Sequence, residues 1–158
     1  MKKQKGFSLI ELLIVVAIIL IIAAIAIPNL IKSKMAANQS GAAGTVRTIN
    51  TGEATYSAVC AQVGYSAALV GLQTGGGCTA GANIIDAVLG GGTKSGYNFA
   101  EAGAAVAPSV INTTFTDTAT PVNLGVSGQN MYCSDQVGVI RFAPTGAGCG
   151  AASLPIGE

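Results

Sequence analysis

The stretch Phe7-Ser8-Leu9-Ile10-Glu11-Leu12-Leu13-Ile14-Val15-Val16-Ala17-Ile18-Ile19-Leu20-Ile21-Ile22-Ala23-Ala24-Ile25-Ala26-Ile27-Pro28 decides how the rest of the chain is read. From Leu12 to Ile27 every side chain is apolar, and between Phe7 and Ile27 only Ser8 and Glu11 are polar. Twenty-one helical residues span about 31 Å, the thickness of a bilayer's hydrocarbon core. Met1 to Gly6 carry Lys2, Lys3 and Lys5, three of the eight basic residues in the chain. A basic amino end stays on the cytoplasmic side, so the carboxyl-terminal body is expected to be exported.

Three readings fit this segment. It could be a secretory signal cleaved near Ala24-Ile25-Ala26, or a single-span anchor that is never cut. Neither accounts for Glu11, since an ionised carboxylate in hydrocarbon costs at least about 2.5 kcal/mol and calls for a cationic partner. No Lys or Arg lies between Lys5 and Lys32. The third reading supplies the cation by a cut after Gly6, which gives Phe7 a free α-amine. That amine is about one turn from Glu11 of its own chain and within reach of Glu11 of a displaced neighbour. Such a buried pair would set register between otherwise featureless apolar helices, as single polar groups do in coiled coils.

Gly6-Phe7-Ser8-Leu9-Ile10-Glu11, followed by an apolar run ending at Ile27-Pro28, resembles the class III signal sequence of type IV pilins and the related pseudopilins. The likeness is close over about the first 35 residues. It implies cleavage between Gly6 and Phe7 by the prepilin peptidase, N-methylation of Phe7, and passage from the bacterial inner membrane into a helical filament of identical subunits by way of the pilus assembly machinery. It gives Phe7, Glu11 and Pro28 roles in assembly. Where many members carry a mid-helix glycine, this chain has Leu20.

Past Pro28 a helical stripe continues through Met35, Ala42, Val46, Ile49, Tyr56 and Val63, with Lys34, Asn38, Arg47 and Asn50 expected on the outer side. Gly41, Gly44 and Gly52 weaken it. After about residue 64 the chain turns to Gly, Ala, Ser and Thr, with Gly75-Gly76-Gly77 and Gly90-Gly91-Gly92 as loops. Strands are expected at Tyr97 to Ala100, Val110 to Phe115, Gln129 to Cys133 and Val137 to Phe142, the last two forming a hairpin around Ser134-Asp135-Gln136. The expected fold is α+β, one long helix with a small antiparallel sheet, in agreement with the pilin resemblance. Its parts are a leader (1–6), an apolar membrane or filament-core helix (7–28), an amphipathic helix (29–63) and a β-rich body (64–158).

Cys60, Cys78, Cys133 and Cys149 make an even set in an exported chain, which suggests two disulfides out of three possible connectivities. Cys60 with Cys78 and Cys133 with Cys149 is the favoured set because each closes a short loop. Many type IV pilins also carry a disulfide-bounded loop near the carboxyl end. A four-thiolate zinc site would normally show paired C-x2-4-C spacing, which is absent.

The remaining signals point away from chemistry. The 158 residues are 50% hydrophobic and 9% charged, with 8 Lys+Arg, 7 Asp+Glu and no histidine. This excludes a disordered solvating chain or a polybasic nucleic-acid binder, and removes the commonest general base and metal ligand. Without Lys2, Lys3 and Lys5 the side chains number five basic against seven acidic, so DNA binding by bulk charge is not expected. Gly92-Thr93-Lys94-Ser95 lacks the glycine that a phosphate-binding loop needs before its lysine. Asp86, Glu101, Asp117 and Asp135 look isolated and solvated, with Asp135 capping its own turn. Asn38-Gln39-Ser40 and Asn112-Thr113-Thr114 match the glycosylation triplet by coincidence. No catalytic residue, metal or cofactor is expected, so the chain does not read as an enzyme.

The function expected on these grounds is that of the major structural subunit of a type IV pilus, extracellular once assembled, in a filament serving adhesion, motility or DNA uptake. A pseudopilin of a type II secretion system shares the amino-terminal features. A conventionally secreted or anchored binding module would instead begin after Ala26 or at Met1.

Overall fold

The computed structural model describes residues 7–73, 78, 84–107, 109–144 and 147–156. The leader and Gly75-Gly76-Gly77 lie outside them. Two compact units divide at Lys34 and Met35. Helix α1 (Leu9–Val59, 51 residues) runs through both, with Pro28 inside it. The chain does not end its helix at Pro28; the Ala24 carbonyl simply loses its i+4 donor there.

In the second unit α1 buries Ala42, Thr45, Val46, Ile49, Gly52, Glu53 and Tyr56, a spacing of three and four that keeps one face inward. Met35 is half-buried, and Val63 packs on the core from beyond the end of the helix, which stops four residues short of the expected 63. Lys34 and Arg47 are exposed, whereas Asn38 and Asn50 turn inward. The Asn38 amide donates to the Ser127 carbonyl (3.0 Å) and the Asn50 amide to Ser134 Oγ (2.8 Å). Both asparagines sit at the rim of the buried stripe, where a side-chain amide can reach the sheet. Gly52 is no mere weak point: it lets Leu72, Ile84 and Ile85 approach the helix backbone.

Two short helices, α2 (Leu69–Gln73) and α3 (Ala87–Gly90), precede the sheet. Asp86 is not free in solvent. Its carboxylate caps α3 by accepting from the Leu89 N–H (2.8 Å) and pairs with Lys94 Nζ (2.7 Å), which, with the Leu89 bond, holds its pKa below the ordinary value.

The sheet is an antiparallel meander in chain order: β1 (Thr93–Lys94), β2 (Tyr97–Ala105), β3 (Asn112–Pro121), β4 (Asn130–Asp135), β5 (Arg141–Pro144) and β6 (Leu154–Pro155). Ser95 and Gly96, both at positive φ, close the β1–β2 hairpin, so the Gly-Thr-Lys-Ser motif is a strand and a turn. β2 runs five residues past the expected Ala100, and β3 starts at Asn112 rather than Val110 and continues to Pro121 because threonine alternates there with buried Phe115, Asp117 and Ala119. The expected hairpin forms between β4 and β5, but Ser134 and Asp135 belong to the strand, and the turn lies beyond them. There Asp135 Oδ1 accepts from the Val137 N–H (2.9 Å).

Val46, Ile49, Tyr56, Leu72, Leu89, Tyr97, Phe99, Ala119, Tyr132 and Ile140 form the core. Cys60 is bonded to Cys78 and Cys133 to Cys149, with Cα atoms 5.3 and 5.8 Å apart, leaving no free thiol. The amides of Asn38 and Asn112 are both engaged by backbone carbonyls of the body.

Candidate functional site: the amino-terminal assembly segment

The first unit presents an apolar helix with nothing over it. Phe7 is 78% exposed, and Leu9, Ile10, Leu20, Ile25 and Leu30 are similarly bare. The helix is long and apolar enough to cross a membrane, with none of its most apolar window buried. So much uncovered hydrocarbon is unstable in water and requires a lipid or protein partner.

At its start the chain supplies one acid. Glu11 lies in the first turn of α1, and its Oε2 accepts a hydrogen bond from the Ser8 backbone N–H at 2.9 Å. Ser8 stands just before the helix and Glu11 three residues on, the S-x-x-E arrangement in which the acid satisfies an orphan donor of the helix end. On sequence grounds Glu11 had no partner short of a free Phe7 amine. The local backbone amide is one, and the Ser8 to Glu11 spacing was the signal for it. In the uncleaved chain the Phe7 nitrogen is an amide and carries no charge.

Of the residues assigned to processing and assembly, Phe7, Glu11 and Pro28 all lie on the exposed segment, while Gly6 is outside the described residues. Among the described residues no group of His, Cys, Asp and Glu could hold a metal ion.

The family described as the prokaryotic N-terminal methylation motif matches residues 1–27. This likeness supports the type IV pilin family for the amino-terminal segment. Over 54 residues, 34% of this chain and 24% of the relative, it is 48% identical to the type IV major pilin protein PilA of Myxococcus xanthus. Over 40 residues, 25% of this chain and 30% of the relative, it is 58% identical to the type IV wide pilus major component PilA4 of Thermus thermophilus. The match thus spans less than a third of either curated relative's length. Both relatives are named as pilus components and neither as a pseudopilin. No solved structure matches the chain. The long helix with its six-stranded antiparallel sheet is an α+β, pilin-like fold.

Proposed function

We propose that this chain is the major structural subunit of a type IV pilus, and that it acts by assembly rather than by catalysis. The observation that carries the reading is the bare apolar helix with a single acid in its first turn, within the stretch that matches the N-terminal methylation motif, in a chain partly similar to two pilus components. The prepilin peptidase removes residues 1–6 after Gly6, and Phe7 is methylated on its new amine. Residues 7–28 hold the precursor in the inner membrane and then pack against copies of themselves as the filament core. Residues 29–63 carry the body, and 64–158 with their two disulfides form the filament's outer surface, where adhesion, motility or DNA uptake would take place.

Glu11 gives the assembly its register. Among the described residues its carboxyl accepts from the Ser8 N–H, a neutral donor; after cleavage a Phe7 amine of a neighbouring subunit offers a full charge in low dielectric, a stronger partner. Pro28, set within the helix, removes one backbone bond at the carboxyl end of the packing segment.

Mass spectrometry of the mature amino terminus, together with recovery of the chain in sheared surface filaments, tests the proposal. A methylated Phe7 in filament material is expected. A chain beginning at Met1 or after Ala26, or one confined to the membrane, would overturn it.

A further inference from the structure

The inner face of the sheet contains a polar row. Phe99, Ala119 and Tyr132 stand in register across β2, β3 and β4; two residues along, Glu101, Asp117 and Ser134 form the next inward row; beyond that come Gly103 and Phe115. α1 covers the polar row with Asn50, bonded to Ser134, and with Glu53, whose carboxyl stands against that of Glu101. Glu53 Oε2 accepts from the Ser66 N–H at 2.8 Å. Glu53 and Asp117 are fully buried and Glu101 is 8% exposed.

Three acids therefore meet in a core with no counter-charge. Among the described residues, no Lys or Arg forms an ion pair with any of them. The titratable groups facing the layer are Tyr56 on α1 and Asp135 on β4, neither of them a cation. Lys34 and Arg47 are exposed, Lys94 is paired with Asp86, and Arg141 is in register with Cys133, in the row that faces the opposite side of the sheet. Both carboxyl oxygens of Asp117 lack a well-formed hydrogen bond, although the Ser134 N–H is close enough to favour its charge. Taken as acceptors, both Glu101 oxygens also lack a donor. A proton on Glu101, donated to Glu53, resolves the Glu53 to Glu101 contact without a cation.

We propose that this layer is a proton-operated latch between α1 and the sheet: with Glu101 and Asp117 protonated the acids pack against one another, and loss of those protons drives α1 from β2 and β3. Burial, reinforced by the neighbouring acids, holds Glu101 well above the usual carboxylate range and brings Asp117 to about 7. A carboxyl whose pKa is raised by folding binds its proton more tightly in the native state. Its stabilising effect is complete below the unfolded value near 4 and is lost as pH climbs towards the folded one. The body is thus firmest in mildly acidic surroundings. The latch does not depend on the filament reading.

Thermal unfolding of the full chain in detergent micelles, followed by circular dichroism from pH 5 to 9, tests it. The Tm should fall by roughly 3 °C or more per pH unit between pH 5 and 7, and Asp117→Asn should flatten that slope. Infrared spectra of the unaltered chain at pH 7 should show the C=O stretch of a protonated carboxyl, and Glu101→Gln should weaken it, leaving the share that Asp117, at about 7, contributes. The infrared band decides the matter even where a variant fails to fold. A pH-independent Tm, a slope unchanged in Asp117→Asn, or no protonated-carboxyl band at pH 7 would each overturn the latch.

Discussion

The Ser8 backbone N–H donates to Glu11 Oε2 at 2.9 Å, so the acid at the head of the apolar helix is already occupied in the uncleaved chain. Its two possible roles, closing its own helix end and pairing with a neighbour's amine, make different demands. The cap needs only an acceptor oxygen, whereas the inter-subunit pair needs a charge.

Substitution separates the two. Glu11→Gln keeps the acceptor and loses the charge; Glu11→Leu loses both. If charge pairing guides assembly, both variants should be inserted and cleaved normally yet yield filaments reduced at least about tenfold, because a buried charge left unpaired costs several kcal/mol. Wild-type filament yield from Glu11→Gln, counted in sheared fractions, would show that the cap alone matters.

The disulfides tie the body at two places, with sequence separations of 18 and 16 residues. Closing loops of this size restricts the unfolded chain by about 3 kcal/mol each. Replacing Cys133 and Cys149 together by Ala should lower the free energy of unfolding by that order, read as a lower denaturant midpoint with a somewhat steeper slope, because the freed unfolded chain exposes more surface. An unchanged midpoint would mean that the loop contributes nothing to stability.

The bond between the Asn50 amide and Ser134 Oγ joins α1 to β4 at 2.8 Å, and Asn50 Oδ1 is already without a partner. Ser134→Ala would strand the amide nitrogen as well. The expected loss is about 1–3 kcal/mol, the cost of a buried polar group left unsatisfied. A double-mutant cycle with Asn50→Ala measures it, and additive effects would show that the bond carries no coupling.

The apolar amino-terminal helix was legible because its information is local: an unbroken apolar run, then a stripe at three-and-four spacing. The hairpin between β4 and β5 could be read for the same reason, though its edges shifted. The acid layer was misread. Glu101 and Asp117 are 16 residues apart in sequence and look isolated, but they are direct cross-strand partners. Period-two alternation held the clue, since Tyr97, Phe99 and Glu101 share the buried face of β2 and Phe115, Asp117 and Ala119 the buried face of β3. What sequence could not supply was the register that faces them, or the helix turn that lays Glu53 over them.

Gly103 and Gly44 offer the same substitution in opposite surroundings. A Cβ on Gly103, in the middle of β2, would run into the Ser66 carbonyl oxygen and come within 2.9 Å of Asn112 Nδ2. Backbone cannot swing aside as a flexible side chain can, so Gly103→Ala must push the Ser66 segment outward and with it the N–H that binds Glu53. A loss of about 2 kcal/mol or more is expected. On Gly44, exposed in α1, a Cβ meets nothing within 4 Å, and Gly44→Ala should stabilise the body by about 0.5–1 kcal/mol through helix propensity. Unfolding midpoints of the two variants, measured side by side, should move in opposite directions. A Gly103→Ala variant as stable as the parent would mean that β2 and the Ser66 segment do not pack as closely as described.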